Sequence, residues 1–372
     1  MHVLIKPVSG ACNLRCAYCF YADEVASRAE PSLGRMDEET LEATVRGALS
    51  RGAREVTFGF QGGEPTLAGL PFFARAKVLA ARYAPKGTRV NWTIQTNGVA
   101  IDDDWAAMLK RLGCLVGVSV DGPARIHDAN RRDALGGGSF QRAMEGVERL
   151  RRHRVDFNVL TVVSAQVARN AERIYRFFMK NELPYQQYIP CLDPLMAERG
   201  LAAHSLTPEL HAAFFTELFH LWYDDVSRGR FVYIRTFENY INAIRGIPPE
   251  HCGMLGRCAM QTVVEADGSV YPCDFYALDR YRLGNVRDGF DAIFARLCDS
   301  GFVEDSLRAD AACADCRWAP ICRGGCRRDR DYGGELRLNH YCEAYRAFFD
   351  YAMPGLVRLA RGGYPPRARG LW

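Results

Sequence analysis

The stretch "CNLRCAYCFY" (Cys12 to Tyr21) follows an apolar run, "HVLIKPV" (His2 to Val8), that reads as a buried strand. It sets cysteines at 12, 16 and 19, a C-x3-C-x2-C spacing. Zinc sites and ordinary iron–sulfur sites take four protein ligands. Three thiols close together therefore describe a metal centre with one position open to something else. A disulfide reading needs pairs and leaves one cysteine over.

Outward from this motif the first half of the chain alternates. "EVTFGFQ", "VNWTIQT", "CLVGVSV", "VDFNVLTVV" and "YQQYIPC" read as further strands. Between them, "MDEETLEATVRGALSRG", "LAGLPFFARAKVLAARYA", "DDDWAAMLKRLG", "FQRAMEGVERLRRH" and "NAERIYRFFMKN" read as amphipathic helices. Asp37 and the acidic residues after it suit a helix start, and Gly113 a helix end. Six such strands with helices between them predict an α/β fold, a parallel sheet with helices outside it. Polar or special residues follow the strands: Cys12, then "QGGEP" (Gln61 to Pro65), "QTNG" (Gln95 to Gly98) and "SVDGP" (Ser119 to Pro123). Any one of these is ordinary turn punctuation. Four sets at the strand ends that carry active sites in barrels suggest more. A helical connection opens at Thr207, an N-cap before Pro208. The chain then turns rich in glycine and cysteine. "QTVVEADGSVYPC" reads as a hairpin turning at Asp267-Gly268, and "AYRAFFDYAMPGLVRLA" as a final helix before a polar tail. The expected division is 1–235 for the barrel with its helical connection and 236–372 for the cysteine-rich domain and C-terminal helix.

The chain has 372 residues, 48% hydrophobic and 25% charged, with a formal charge of +4. That is globular composition with ample length for a core, and it gives no reason to invoke nucleic acid or a membrane surface. No apolar run approaches the ~20 residues of a membrane span. The N-terminal residues show no secretion signal, so a reducing cytoplasm is the expected setting. There, clustered cysteines bind metal or do chemistry more often than they form disulfides. Of fourteen cysteines, Cys114, Cys191 and Cys298 stand apart and read as small buried hydrophobes. Eight others form a late set: Cys252, Cys258, Cys273, Cys313, Cys316, Cys322, Cys326 and Cys342. Eight thiols suffice for two four-thiolate sites, of zinc or of iron and sulfur, and ligand count alone does not choose. Arg327, Arg328 and Arg330 read as surface charges or charges behind the ligands.

The three-cysteine motif after a first barrel strand, with Tyr18 before its last cysteine, resembles the radical S-adenosylmethionine enzymes. The resemblance implies a partial (β/α)6, TIM-like barrel, a 4Fe–4S cluster on Cys12, Cys16 and Cys19 whose open iron chelates S-adenosyl-L-methionine, and reductive cleavage of the cofactor to a 5′-deoxyadenosyl radical. "GGEP" looks like the loop that contacts the cofactor's amino group, which assigns Gly62, Gly63 and Glu64; Tyr18, Gln95 and Ser119 would also face the cofactor. The late pattern, C-x9-G-x4-C then C-x2-C-x5-C-x3-C and a last cysteine, resembles the SPASM extension with two auxiliary 4Fe–4S clusters. By that family's interleaving, Cys252, Cys258, Cys273 and Cys326 would hold one cluster, and Cys313, Cys316, Cys322 and Cys342 the other.

Over essentially the whole chain, "CNLRCAYCFY", "FQGGEPTLAG", "QTNG", "VGVSVDGP", "CLDP", "VEADGSVYPCDFY" and "CRGGCRR" are similar to the anaerobic sulfatase-maturating enzymes. That family oxidises a cysteine or serine of a sulfatase to Cα-formylglycine. The resemblance implies Asp274, after Cys273, as the base, Tyr21 and Gln61 as peptide contacts, a sulfatase segment of C/S-x-P-x-R type as substrate, and an external reductant such as flavodoxin or ferredoxin. Enzymes that crosslink or epimerise peptides share the cysteines. The "CDFY" run and the lack of a recognisable N-terminal peptide-recognition domain favour sulfatase maturation.

Overall fold

In the computed structural model, which describes residues 1–195 and 198–362, every expected strand forms. In chain order the strands that build the sheets below are β1 (His2–Ile5), β2 (Glu55–Phe60), β3 (Arg89–Thr96), β4 (Cys114–Ser119), β5 (Phe157–Val163), β6 (Tyr185–Pro190), β7 (Tyr233–Ile234), β8 (Thr262–Val264), β9 (Ser269–Tyr271) and β10 (Gly284–Asn285). The polar tail beyond residue 362 lies outside the described residues. The chain forms two compact units. One comprises Met1–Val120, Asp128–Phe157 and Met260–Phe302; the other comprises Asp121–His127, Asn158–Ala259 and the chain from Val303 onward.

In the first unit β1, β2, β3 and β4 pair in parallel and in sequence order. β8 adds to the free edge of β1, also in parallel, and β9 and β10 continue antiparallel. The hairpin read at Asp267-Gly268 thus extends the barrel sheet, and this is why the first unit is not one contiguous stretch. Register places Val3, Ile5, Phe58, Phe60, Trp92, Ile94, Val116 and Val118 on one face, all buried. The helices α1 (Phe20–Ala26), α2 (Glu38–Ser50), α3 (Leu70–Tyr83), α4 (Asp103–Leu112) and α5 (Phe140–Arg152) fall between these strands or close the unit. α3 and α4 seat rings on that face: Phe73 lies 4.7 Å from the Phe60 ring and 5.1 Å from Trp105. Each fully buried ring contributes about 2 kcal/mol of transfer free energy. Asp37 caps α2 by accepting the N–H of Thr40, and Gly113 ends α4 in the left-handed region at φ 64°. The opposite face holds the polar strand ends. Lys6, Gln61 and Gln95 follow one another across β1, β2 and β3, because Ile5 pairs with Phe60 and Phe60 with Ile94.

In the second unit β5, β6 and β7 pair in parallel, the last a short strand the sequence does not announce. α6 (Ala171–Lys180), α7 (Pro208–Ser227), α8 (Arg235–Ile244) and α9 (Cys342–Gly362) complete it. Thr207 caps α7, accepting from the N–H of Leu210, with Pro208 in the first turn. α9 packs against α7 and α8 through Phe348, whose ring lies 5.9 Å from both Phe219 and Phe237. Among the described residues no helix is long and apolar enough to cross a membrane.

One expectation is corrected and another narrowed. Cys114 and Cys191 are buried, but Cys298 is exposed. It sits on the helix Phe290–Asp299, whose buried face is Phe290, Ile293 and Leu297, and a residue next to Leu297 is turned about 100° away from that face. Of the two readings of Arg327, Arg328 and Arg330, surface charges or charges behind the ligands, burial removes the first. All three are buried, with Arg328 donating to the carbonyl of Asp193 and Arg330 to that of Ser306.

Candidate active site

The loop after β1 carries Cys12, Cys16 and Cys19, all half-buried free thiols. Its ending is fixed by α1, for which Cys19 is the N-cap residue, so the last thiol sits at a helix start. Donors surround the sulfurs. The Leu14 N–H reaches Cys12 Sγ at 3.3 Å, Asn97 Nδ2 stands 3.8 Å from the same atom, and the Arg131 guanidinium is 4.0 Å from Cys16 Sγ. Burial pushes the Cys12 thiol up, opposed by the Leu14 N–H and reinforced by the charges of Glu64 and Cys19. A bound metal reverses that penalty, because it holds thiolates. Three thiols with converging N–H groups suit an iron–sulfur cluster. Tyr18 is buried beneath the same arginine, 5.4 Å from its ring to the guanidinium carbon.

Glu64 ties the neighbouring loops together. Its carboxylate is buried and accepts from the Thr66 N–H (3.1 Å) and hydroxyl (2.7 Å), the Thr96 hydroxyl (2.7 Å) and the Asn97 N–H (2.8 Å). Asn97 in turn donates to Asn13 at 2.7 Å. "GGEP", "QTNG" and the cysteine loop are thus one hydrogen-bonded body. With its carboxylate so committed, what this loop offers a ligand is main chain. Gly62 takes φ 127° and Gly63 lies against Ala11, conformations and spaces that a side chain would not fit. Gln95 is exposed on the face opposite the apolar one. Ser119 is half-buried at the end of β4, on the same face by the pairing of Gln95 with Gly117.

Asp274 begins a short turn after β9, and its carboxylate is held at both oxygens. The Lys6 ammonium is 2.6 Å from Oδ1, and Gln61 Nε2 donates to Oδ2 at 2.7 Å. Tyr21 does not offer its hydroxyl to a peptide: it is 2% exposed, and the hydroxyl donates to Glu265 at 2.5 Å. Burial and the Glu265 charge push that phenol well up. The sequence reading passed over Lys6, Glu265 and Arg28. The one available signal was a lysine inside the apolar stretch His2 to Val8.

In the second unit the late cysteines gather in two groups. Burial pushes the Cys322 thiol up to about 11, with the charges of Cys342, Cys313 and Cys316 adding to it. Burial likewise pushes Cys326 well up, with Asp329, Cys252 and Cys258 adding. The buried charges of Arg327 and Arg330 act in the opposite sense on Cys258. Cys273 belongs to the first unit, as the residue before Asp274. Among the described residues no three His, Cys, Asp or Glu side chains close on a single metal ion.

Comparison with known proteins follows this geometry. Residues 7–178 match the radical SAM superfamily, and residues 252–317 an iron–sulfur cluster-binding domain, SPASM. The cysteine-type anaerobic sulfatase-maturating enzyme of Clostridium perfringens (strain 13) is 42% identical over 97% of this chain and 98% of its own. The chain belongs to the anaerobic sulfatase-maturating enzymes. A serine-type member of the family, from Klebsiella aerogenes, is 33% identical over 97% of this chain and 87% of its own. The solved structure of native anSMEcpe with bound AdoMet and Cp18Cys peptide superposes with a TM-score of 0.92 at 41% identity, covering 96% of this chain and 98% of that one. As a member of this family the chain is a radical S-adenosylmethionine enzyme with iron–sulfur clusters in its barrel and SPASM regions.

Proposed function

We propose that this enzyme oxidises the Cβ of a cysteine or serine in a sulfatase segment of C/S-x-P-x-R type to the aldehyde of Cα-formylglycine. The observation that carries the reading is the Asp274 carboxylate, fixed at 2.6 Å by Lys6 and 2.7 Å by Gln61, at the strand ends from which the cysteine and "GGEP" loops spring. Cys12, Cys16 and Cys19 would hold the cluster that binds S-adenosylmethionine, and the bound pair would supply the radical chemistry for removing one hydrogen atom from Cβ. Gly62 and Gly63 would present main-chain groups to the cofactor's amino end, with Tyr18, Gln95 and Ser119 around it. Asp274 accepts the hydroxyl or thiol proton, a task that needs hydrogen-bonding reach before anything else. One electron remains, and Cys273, next in sequence to Asp274, would hold its acceptor with Cys252, Cys258 and Cys326. Cys313, Cys316, Cys322 and Cys342 would hold the second auxiliary cluster. The grouping of Cys313, Cys316, Cys322 and Cys342, and of Cys252, Cys258 and Cys326, supports that division for those seven thiols. From serine the product is the aldehyde directly; from cysteine the thioaldehyde exchanges sulfur for the oxygen of water and releases hydrogen sulfide. Higher identity to cysteine-type relatives supports cysteine as the preferred residue. Flavodoxin or ferredoxin would deliver the priming electron. Functionally we divide the chain at 235, barrel before and SPASM domain after.

The test is anoxic incubation with C-x-P-x-R and S-x-P-x-R peptides, trapping the aldehyde with a hydrazine. A thioether, a carbon–carbon crosslink or an inverted residue instead would make this a different peptide maturase.

A further inference from the structure

Lys6 is wholly buried at the end of β1, directly after Val3, Leu4 and Ile5. Burying an ammonium is costly, and a hydrophobe of similar volume often gives an equally or more stable fold. Its surroundings account for the charge. Nζ lies 2.6 Å from Asp274 Oδ1 and 3.6 Å above the centre of the Tyr21 ring. Tyr21 is held by its hydroxyl on Glu265. Glu265 also pairs with Arg28 at 2.8 Å, and Arg28 Nε donates to the carbonyl of Ala277 at 2.5 Å. The result is a row of buried residues, Arg28, Glu265, Tyr21, Lys6 and Asp274, closed by the half-buried Gln61. Gln61 holds one carboxylate oxygen by a hydrogen bond and Lys6 the other by its charge. Tyr21 closes the far side of Lys6, and the ammonium meets Oδ1 as an ion pair outside hydrogen-bond geometry.

We infer that Lys6 is the positioning residue for Asp274, orienting the carboxylate that receives the substrate's proton, with Tyr21 and Glu265 holding Lys6 in turn. This rests on the reading of Asp274 as the base. It assigns Tyr21 a place behind Lys6 in place of a contact with the peptide.

The test compares wild type with Lys6→Met and Lys6→Arg, reconstituted anoxically, and counts 5′-deoxyadenosine released per aldehyde formed. A turned carboxylate slows the step after hydrogen abstraction. In Lys6→Met the aldehyde rate should therefore fall roughly ten- to a hundredfold, with the KM for peptide unchanged and the deoxyadenosine-to-aldehyde ratio raised severalfold. Lys6→Arg keeps the charge and should recover part of the rate. Parallel loss of both products, or wild-type coupling in Lys6→Met, overturns the inference. A second reading needs no cofactor: thermal unfolding of Lys6→Met, Asp274→Asn and the double variant. The losses in Tm should fail to add, because each single variant strands a buried partner; simple additivity would overturn the pairing. If Lys6→Met does not fold, Lys6→Arg carries the coupling measurement alone. Wild type that cleaves S-adenosylmethionine and makes no aldehyde would sink the formylglycine reading and leave the unfolding cycle to judge Lys6.

Discussion

A Cβ built on Gly63 would stand 2.0 Å from the carbonyl oxygen of Ala11. Main chain meets main chain there, with Gly63 N–H donating to Ser9 at 2.9 Å and Glu64 N–H to Ala11 at 2.8 Å. The "GGEP" loop is therefore laid directly on the stem of the cysteine loop. Gly63→Ala cannot be absorbed by a side-chain rotation. Overpacking of this kind costs typically about 1–3 kcal/mol, and here it must move the loop that bears Cys12. The variant should melt earlier and hold about a third less iron after reconstitution, since the other two thiolate groups are untouched. Iron analysis beside a thermal melt checks both.

Glu64 satisfies four donors from three residues. Glu64→Ala strands them in a buried site, at roughly 1–3 kcal/mol for each unsatisfied group. Glu64→Gln keeps one acceptor oxygen but turns an NH2 toward donors, so it should recover only part of the loss. Denaturant unfolding of the two variants should rank them wild type, Gln, Ala.

Stability should depend on pH through His211. It is buried among Phe215, Tyr341 and Tyr345, and burial lowers it from its ordinary 6.5 to about 3, with the His340 charge adding. Between those values the unfolded chain binds a proton that the folded chain does not. Stability is then complete above 6.5 and is lost as pH falls toward 3, by up to about 1.4 kcal/mol per pH unit. His211→Phe keeps the ring stack and should flatten that slope. Denaturant midpoints taken every half unit from neutral pH downward would show it.

Three thiolate groups predict about twelve irons, four for each cubane. Changing Cys12, Cys16 and Cys19 to alanine should remove about four and abolish cleavage of S-adenosylmethionine. Changing Cys313, Cys316, Cys322 and Cys342 should remove a different four and leave cleavage in place. Zinc in the late cysteines would remove the electron acceptor from the account.

The strands were legible because parallel strands buried on both faces read as continuous apolar runs, and the helices because Asp37, Gly113 and Thr207 mark their ends locally. The cysteine loops were legible because ligand spacing is local too. The row behind Asp274 was not. Tyr21 and Glu265 are 244 residues apart, and Gln61 and Asp274 213, so their meeting depends on β8 joining β1, which no spacing records. For the same reason Tyr21 looked like a peptide contact, Arg327, Arg328 and Arg330 could pass for surface charges, and Cys298 for a core residue. Lys6 was visible as the one charge in "HVLIKPV", but its partner lies across the fold.

The most direct measurement is the mass of the peptide product from wild type and Asp274→Asn under anoxic turnover. Wild type should convert a serine peptide with loss of two hydrogens, and a cysteine peptide with sulfur replaced by oxygen as well. Asp274→Asn should still release 5′-deoxyadenosine while aldehyde falls about a hundredfold or more. An intact peptide, a crosslink, or undiminished aldehyde from Asp274→Asn would contradict the account.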